Sequence, residues 1–282
     1  MNGMNARTCW VTGAGGLIGS ALMASRGLPR GWVAVGLGRR MLDLADAGAV
    51  AARFREERPD AVIHCAAMSR TGDCQRDPGA ARVSNVEVTR GLAGLFEGKP
   101  MVFLSTDLVF DGEGAPYGEG ARTNPLMVYG ETKVEAERVV LEDPGHLVVR
   151  TSINHGRSPT GDRGFNEEME RAWATGRRLD LFVDEYRCPI GAEVTARALW
   201  RLLEVGATGI VHVAGAQRLS RWEIGRLVAG GDARREALIG EASVRAHVGM
   251  RRPADTTLDI RRAQGLMGFE LPGYEEWLRG RR

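Results

Sequence analysis

Cysteine is scarce in this chain. Cys9, Cys65, Cys74 and Cys188 are the only four in 282 residues, and no two stand in a C-x-x-C pair, so a disulfide framework and a zinc site are both poorly supported. Cys9 and Cys65 sit in apolar runs, where cysteine behaves as a small hydrophobe. A dominant charge is also missing: 38 Lys and Arg face 36 Asp and Glu, a net of +2. That balance offers no electrostatic ground for nucleic acid as the main partner. No apolar run is long enough to cross a bilayer, and the polar start over residues 1–7 lacks the apolar core of a signal peptide. The expectation is therefore a cytoplasmic protein in a reducing setting, with no membrane partner. The histidines show no metal-ligand spacing, so no metal is expected. Internal repeats and low-complexity segments are absent.

What is present is alternation. Short, near-continuous apolar runs predict strands over 8–12, 32–37, 61–65, 101–105 and 146–150. Helical spacing predicts helices over 17–25, 47–57, 78–96 and 128–141 between them. Buried strands separated by helices imply a parallel sheet covered on both faces, and right-handed crossovers make it a doubly wound, Rossmann-type α/β sheet. The rhythm breaks over 154–187, which is polar and glycine-rich, and resumes with a helix over 194–204 and a strand over 209–214. The tail, 220–282, reads as mostly helical and arginine-rich. This predicts a dinucleotide-binding domain from 1–154 plus 188–216, and a smaller C-terminal substrate-binding lobe from 155–187 plus 217–282.

The first strand runs into Gly13-Ala14-Gly15-Gly16-Leu17-Ile18-Gly19 and then a helix. Glycines there allow a tight turn and close approach to a pyrophosphate, which the helix N-terminus then holds. Where NAD-selective sites place an acidic residue at the end of the second strand, this chain has Arg39-Arg40. Two guanidiniums suit a ribose 2′-phosphate, so NADP(H) is favoured, although NAD(H) still fits the fold. Asp43 and Leu44, just beyond, are placed near the adenine.

Tyr129 and Lys133 stand four apart at the start of a predicted helix, so they share one face. A phenol is a weak acid–base group at neutral pH, and a nearby ammonium stabilises its anion. Tyr129 can then protonate a carbonyl oxygen as hydride arrives, while Lys133 holds the nicotinamide ribose. Thr106, at the end of the fourth strand, supplies a hydroxyl that can fix that carbonyl. These three are the expected catalytic residues.

The G-x-x-G-x-x-G turn resembles the extended branch of the short-chain dehydrogenases/reductases. Ser105-Thr106-Asp107-Leu108-Val109-Phe110-Asp111-Gly112, Asn124-Pro125-Leu126 and Tyr129-Gly130-Glu131-Thr132-Lys133 are similar to the dTDP-4-dehydrorhamnose reductase group of that branch. His64-Cys65-Ala66-Ala67, Asn85, Arg150-Thr151-Ser152 and 252–259 agree, so the likeness runs through nearly the whole chain. It implies hydride transfer from NADPH or NADH to the 4-keto group of a nucleotide-activated deoxysugar. It adds Cys65, Ala66, Ala67, Asn85 and Ser105 to the cofactor residues. For the sugar nucleotide it implies Met68, Asp107, Leu108, Asn154 and His155, with Arg163, Arg177 and Arg187 for the diphosphate.

Three departures fall where the sugar ring would sit. Leu108 replaces the group's usual tyrosine, Ile153-Asn154-His155 replaces a bulky residue, and Met68-Ser69 replaces Tyr-Thr. Alternatives are a nucleotide-sugar epimerase of the same superfamily, or a non-catalytic regulatory subunit resembling the β subunit of methionine adenosyltransferase. Dehydration is disfavoured, because Leu108 follows Asp107 where dehydratases carry Glu. A homodimer through the helices over 78–96 and 128–141 is also expected.

Overall fold

The computed structural model describes residues 6–280, so residues 1–5 of the polar start read over 1–7 lie outside it. Six parallel strands form the central sheet. Their order is Gly209–Val213, Leu147–Thr151, Met101–Thr106, Ala61–His64, Arg7–Thr12 and Trp32–Leu37. The chain steps outward from Arg7–Thr12 to Trp32–Leu37, then crosses back to Ala61–His64 on the other side. That reversal opens a crevice at the carboxyl ends of Arg7–Thr12 and Ala61–His64, where ligands of such sheets bind.

Neighbouring residues of one strand serve opposite cores, as the pleat requires. Cys9 and Val11 face the helices Leu17–Ala24 and Ala192–Glu204. Trp10 faces the helices Ala47–Glu57, Val88–Leu95 and Val128–Val140. Val149 and Val148 divide in the same way. Burying each such side chain is worth about 1.5–3 kcal/mol, and this two-sided burial holds the helices against both faces of the sheet.

The structure departs from the sequence reading in three places. The helix expected over 78–96 is Pro78–Arg82, a π-helical turn Val83–Glu87, and then Val88–Leu95. The wide turn carries Asn85, whose side chain is bonded inward to Met68 and Thr132. In the tail, Ile239–Ala242 is a strand, paired in parallel with Leu179–Phe182. Residues 260–271 do not join the lobe: Ala263, Met267 and Leu271 pack into the sheet core beside Leu199 and Val211, because their apolar side chains have that core to fill.

The lobe has its own small core of Met169, Ala172, Trp173, Leu179, Leu181 and Ala229. Tyr186–Arg187 pairs with Leu219–Ser220 within it, and Asn154–His155 pairs with Ile190–Gly191 where the chain passes between lobe and sheet. Ser220 and Glu223 cap the next helix, Arg221–Ala229, reciprocally. Among the described residues no helix is long and apolar enough to cross a membrane, and no group of three or more His, Cys, Asp or Glu could hold a metal ion.

Candidate active site and dinucleotide crevice

The crevice begins at Gly13, which has φ +66°. A Cβ there would sit 2.8 Å from the Ala66 amide nitrogen, so only glycine lets the two strand ends approach. Gly15 and Gly16 complete the turn, and Leu17, Ile18 and Gly19 open the helix. No side chain caps that helix and no acidic residue stands in its first turn. Its N–H groups and positive dipole end are left for an anion.

Across the mouth, Arg39 and Arg40 are exposed and neither takes part in an ion pair among the described residues. Asp43 is also exposed, and its carboxylate accepts from the Ala45 amide at 3.0 Å. Leu44 packs against the core that contains Trp10. An uncapped helix end and two unpaired guanidiniums fit the phosphates of a dinucleotide.

The opposite wall is the segment Cys65-Ala66-Ala67-Met68. Thr12 receives the Ala66 amide at 3.2 Å and bonds His64 Nδ1 at 2.7 Å, while His64 Nε2 meets Thr89 at 3.1 Å. Burial, aided by Lys133, holds this imidazole near pKa 3, so it is neutral. Asn85 is buried rather than open to a ligand. Its Oδ1 accepts from the Met68 amide (2.8 Å), and its Nδ2 donates to the Met68 carbonyl (3.1 Å) and to Thr132 (3.0 Å). Cys74 also donates to the Met68 carbonyl, at 3.1 Å. Asn85 thus sets the shape of the wall.

Thr106, Tyr129 and Lys133 meet beside this wall. Thr106 ends its strand, donates to Asp107 Oδ1 at 3.2 Å and receives the Leu108 amide at 3.2 Å. A Cβ on Gly130 would lie 2.3 Å from the Leu108 carbonyl oxygen. The glycine between Tyr129 and Lys133 is what allows the helix Val128–Val140 to press against that turn. Burial raises the Tyr129 pKa well above that of a free phenol, Cys74 and Asp107 add to the rise, and a hydrogen bond with Thr106 opposes it. Tyr129 is therefore a neutral O–H donor at ordinary pH. Lys133 is buried and donates to the Leu104 carbonyl at 2.6 Å, with its ammonium 3.8 Å from the Phe103 ring centre. Burial pulls its pKa down to about 7.

The residues expected for the sugar nucleotide divide. Met68 and Leu108 are partly exposed beside the catalytic groups. Asp107 is buried, and its Oδ2 accepts from Ser152 (2.8 Å) and Thr256 (2.9 Å), so it joins three segments of the fold instead of offering free oxygens. Asn154 is occupied by Thr151, the Ser152 carbonyl and Thr195. His155 is fully buried and bonds Tyr274 through Nδ1. Arg163 is exposed and pairs with Asp162, and Arg177 is exposed in the turn after the helix Phe165–Ala174. Ser105, expected at the cofactor, turns inward and donates to Glu137 at 2.5 Å.

Arg187 is buried, 3.2 Å from Glu185 and 3.8 Å from Asp107. Two residues that the sequence reading missed join it. Arg221 lies 3.3 Å and Arg252 2.5 Å from the same Glu185 carboxylate. Exposed Glu168 acts on both from outside. These four clustered residues are spread over 67 positions of the chain, and no local pattern joins them. Glu137 was also missed, although its spacing of four from Lys133 on a helix was a usable signal.

A family model for the RmlD substrate binding domain matches residues 7–280. The dTDP-4-keto-6-deoxy-D-glucose reductase of Streptomyces niveus is 34% identical over 224 residues, covering 77% of this chain and 76% of its own length. Methionine adenosyltransferase 2 subunit beta of Danio rerio is 29% identical over 280 residues, covering 94% of this chain and 86% of its own. The crystal structure of dTDP-4-dehydrorhamnose reductase from Bacillus anthracis str. Ames in complex with NADP aligns with a TM-score of 0.88 at 24% identity, over 97% of this chain and 98% of that one.

Proposed function

The chain belongs to the RmlD substrate binding domain family of extended short-chain dehydrogenases/reductases and is an NAD(P)-dependent oxidoreductase acting on a keto group; from that premise we propose that it reduces the 4-keto group of a nucleotide-activated deoxysugar, with NADPH preferred. The observation that carries this reading is the convergence of Thr106, Tyr129 and Lys133 beside the crevice at Gly13 and Ala66. The nicotinamide, when bound, supplies the hydride. Tyr129 gives its phenolic proton to the substrate carbonyl oxygen, which the Thr106 hydroxyl holds in line. Lys133 holds the nicotinamide ribose, and its positive charge favours the phenolate that Tyr129 becomes.

Arg39 and Arg40, unpaired at the mouth, support the preference for a 2′-phosphate. Arg187, Arg221 and Arg252 support a diphosphate site on the lobe side, since three guanidiniums share the Glu185 carboxylate. The likeness to the β subunit of methionine adenosyltransferase supports a second, non-catalytic reading. The assembled proton donor favours the enzyme.

The test is oxidation of NADPH and of NADH, followed at 340 nm, against dTDP- and UDP-linked 4-keto-6-deoxysugars. Turnover on one of them, faster with NADPH, is the expected result. Tight NADPH binding without turnover on any of them, together with co-purification of a methionine adenosyltransferase, would sink the reductase reading in favour of the regulatory one.

A further inference from the structure

The chain has 38 Lys and Arg residues, yet only Lys99 and Lys133 are lysines. Lys99 lies at the far end of the sheet, where it donates to the Pro59 carbonyl at 2.7 Å. Lys133 is the buried one, a compact ammonium on a flexible stem whose pKa shifts readily out of water. Its burial creates a difficulty: an isolated ammonium out of water tends to neutralise.

The helix Val128–Val140 answers this one turn later. Tyr129, Lys133 and Glu137 are spaced by four and share a face. Lys133 is bonded to the Leu104 carbonyl at 2.6 Å and Glu137 to the Ser105 hydroxyl at 2.5 Å, so both are pinned to consecutive residues of one strand. Arg150 stands opposite Ser105 in the sheet register and grips Glu137 with both arms, Nε at 3.0 Å and Nη2 at 2.7 Å. His212, opposite Arg150 on the next strand, backs it at 3.5 Å. Ser105, Glu137, Arg150 and His212 are all buried.

We propose that Glu137, clamped by Ser105 and Arg150, is a positioning residue that keeps the buried Lys133 ammonium charged and in place beside the dinucleotide crevice. The role assigned to Lys133 rests on the reductase reading above. Burial is the strongest influence on Lys133 and favours its neutral form; Glu137 opposes it, while Cys65 beside it is held as a neutral thiol by its own burial. The other titratable groups around it are Tyr129 on its own helix and neutral His64 at the end of Ala61–His64. A buried ion pair is a poor stability device, since well-packed apolar residues often serve equally well. Arg150 makes sense as the group that fixes the Glu137 carboxylate on the helix face it shares with Lys133, a lysine that water cannot reach.

The test uses the full chain labelled with 13C and 15N at lysine, which yields two side-chain signals, assigned with Lys99→Arg. The Lys133 signal is titrated in the protein without ligand, and NADPH binding is titrated over the same pH range by fluorescence. In Glu137→Gln the Lys133 midpoint is expected to fall by about one pH unit or more, as for loss of a nearby opposite charge. The pH at which NADPH binding weakens should fall with it. Glu137→Asp should return both toward wild type.

If Glu137→Gln does not fold, Glu137→Gln combined with Arg150→Met removes both buried charges, and the midpoint should still fall. A Lys133 midpoint unmoved in whichever folded variant is read overturns the proposal. The lysine titration needs neither cofactor nor sugar, so its outcome is separate from success or failure of the keto-sugar assay.

Discussion

Two buried clusters of opposite charge sit on either side of the catalytic groups, and they are built differently. Under the sheet, Glu137 and Arg150 form one closed pair, with side chains 4% and 3% exposed. On the lobe side a single carboxylate, Glu185, is shared by Arg187, Arg221 and Arg252, and the last two keep 19% and 20% exposure. Burial alone would raise the Glu185 pKa, but the three guanidiniums outweigh it and hold it at about 2. Arg221 is pulled the other way, to about 10, by burial first, while Glu185 opposes that and Arg252 and Arg187 reinforce it. The closed pair acts on buried groups beside it, Lys133 and His212. The lobe-side cluster is open: Arg221 and Arg252 remain partly exposed, so an anion could reach them beside Glu185.

Three substitutions break or sharpen this comparison. Tyr129→Phe leaves both clusters intact and removes only the proton donor, so reduction should fall about 10²–10⁴-fold while NADPH binding stays unchanged by fluorescence titration. A retained rate would show that Tyr129 is not the proton donor between the two clusters.

Glu185→Gln should cost stability of about 3–5 kcal/mol in urea denaturation, because buried arginines lose their partner. The same residue predicts an acid limb. Its folded pKa lies below the unfolded value of about 4.3, so its contribution is complete above that pH and is lost as pH falls through about 2. Wild-type stability should therefore decline between about pH 5 and pH 2, and Glu185→Gln should lack that component. A parallel acid limb in both proteins would count against the cluster.

Arg221→Gln is the mildest of the three. It should raise KM for the sugar nucleotide about tenfold, with kcat and NADPH affinity unchanged, as for loss of one charged hydrogen bond. An unchanged KM would move the anion elsewhere, leaving the Glu185 cluster as a purely structural knot.

The catalytic side was far more legible than the lobe. Gly13, Thr106, Tyr129 and Lys133 lie in short motifs whose spacing alone puts them at a strand end or on one helix face. Asp107 and Asn154 looked equally available in the sequence, yet their oxygens are taken by residues as distant as Thr256 and Thr195. Ser105 likewise turned to Glu137, and Asn85 to the Met68 loop. Whether a polar side chain is free for a ligand depends on every partner that folding brings near it, and motif spacing contains no record of those partners. The swap of 260–271 into the sheet core follows the same logic, because apolar spacing shows that a segment will be buried but not against what.

The sequence by itself determined the alternating strands and helices, the glycine turn at their first junction, and the shared face of Tyr129 and Lys133. Each of these is a local periodicity or a local steric demand. Only the tertiary structure decided that Glu137 stands over Arg150, that three arginines converge on Glu185, and which of the expected ligands are already satisfied. Those outcomes are set by long-range contacts in a low-dielectric interior, where a charge's effect depends on the few groups within hydrogen-bonding reach.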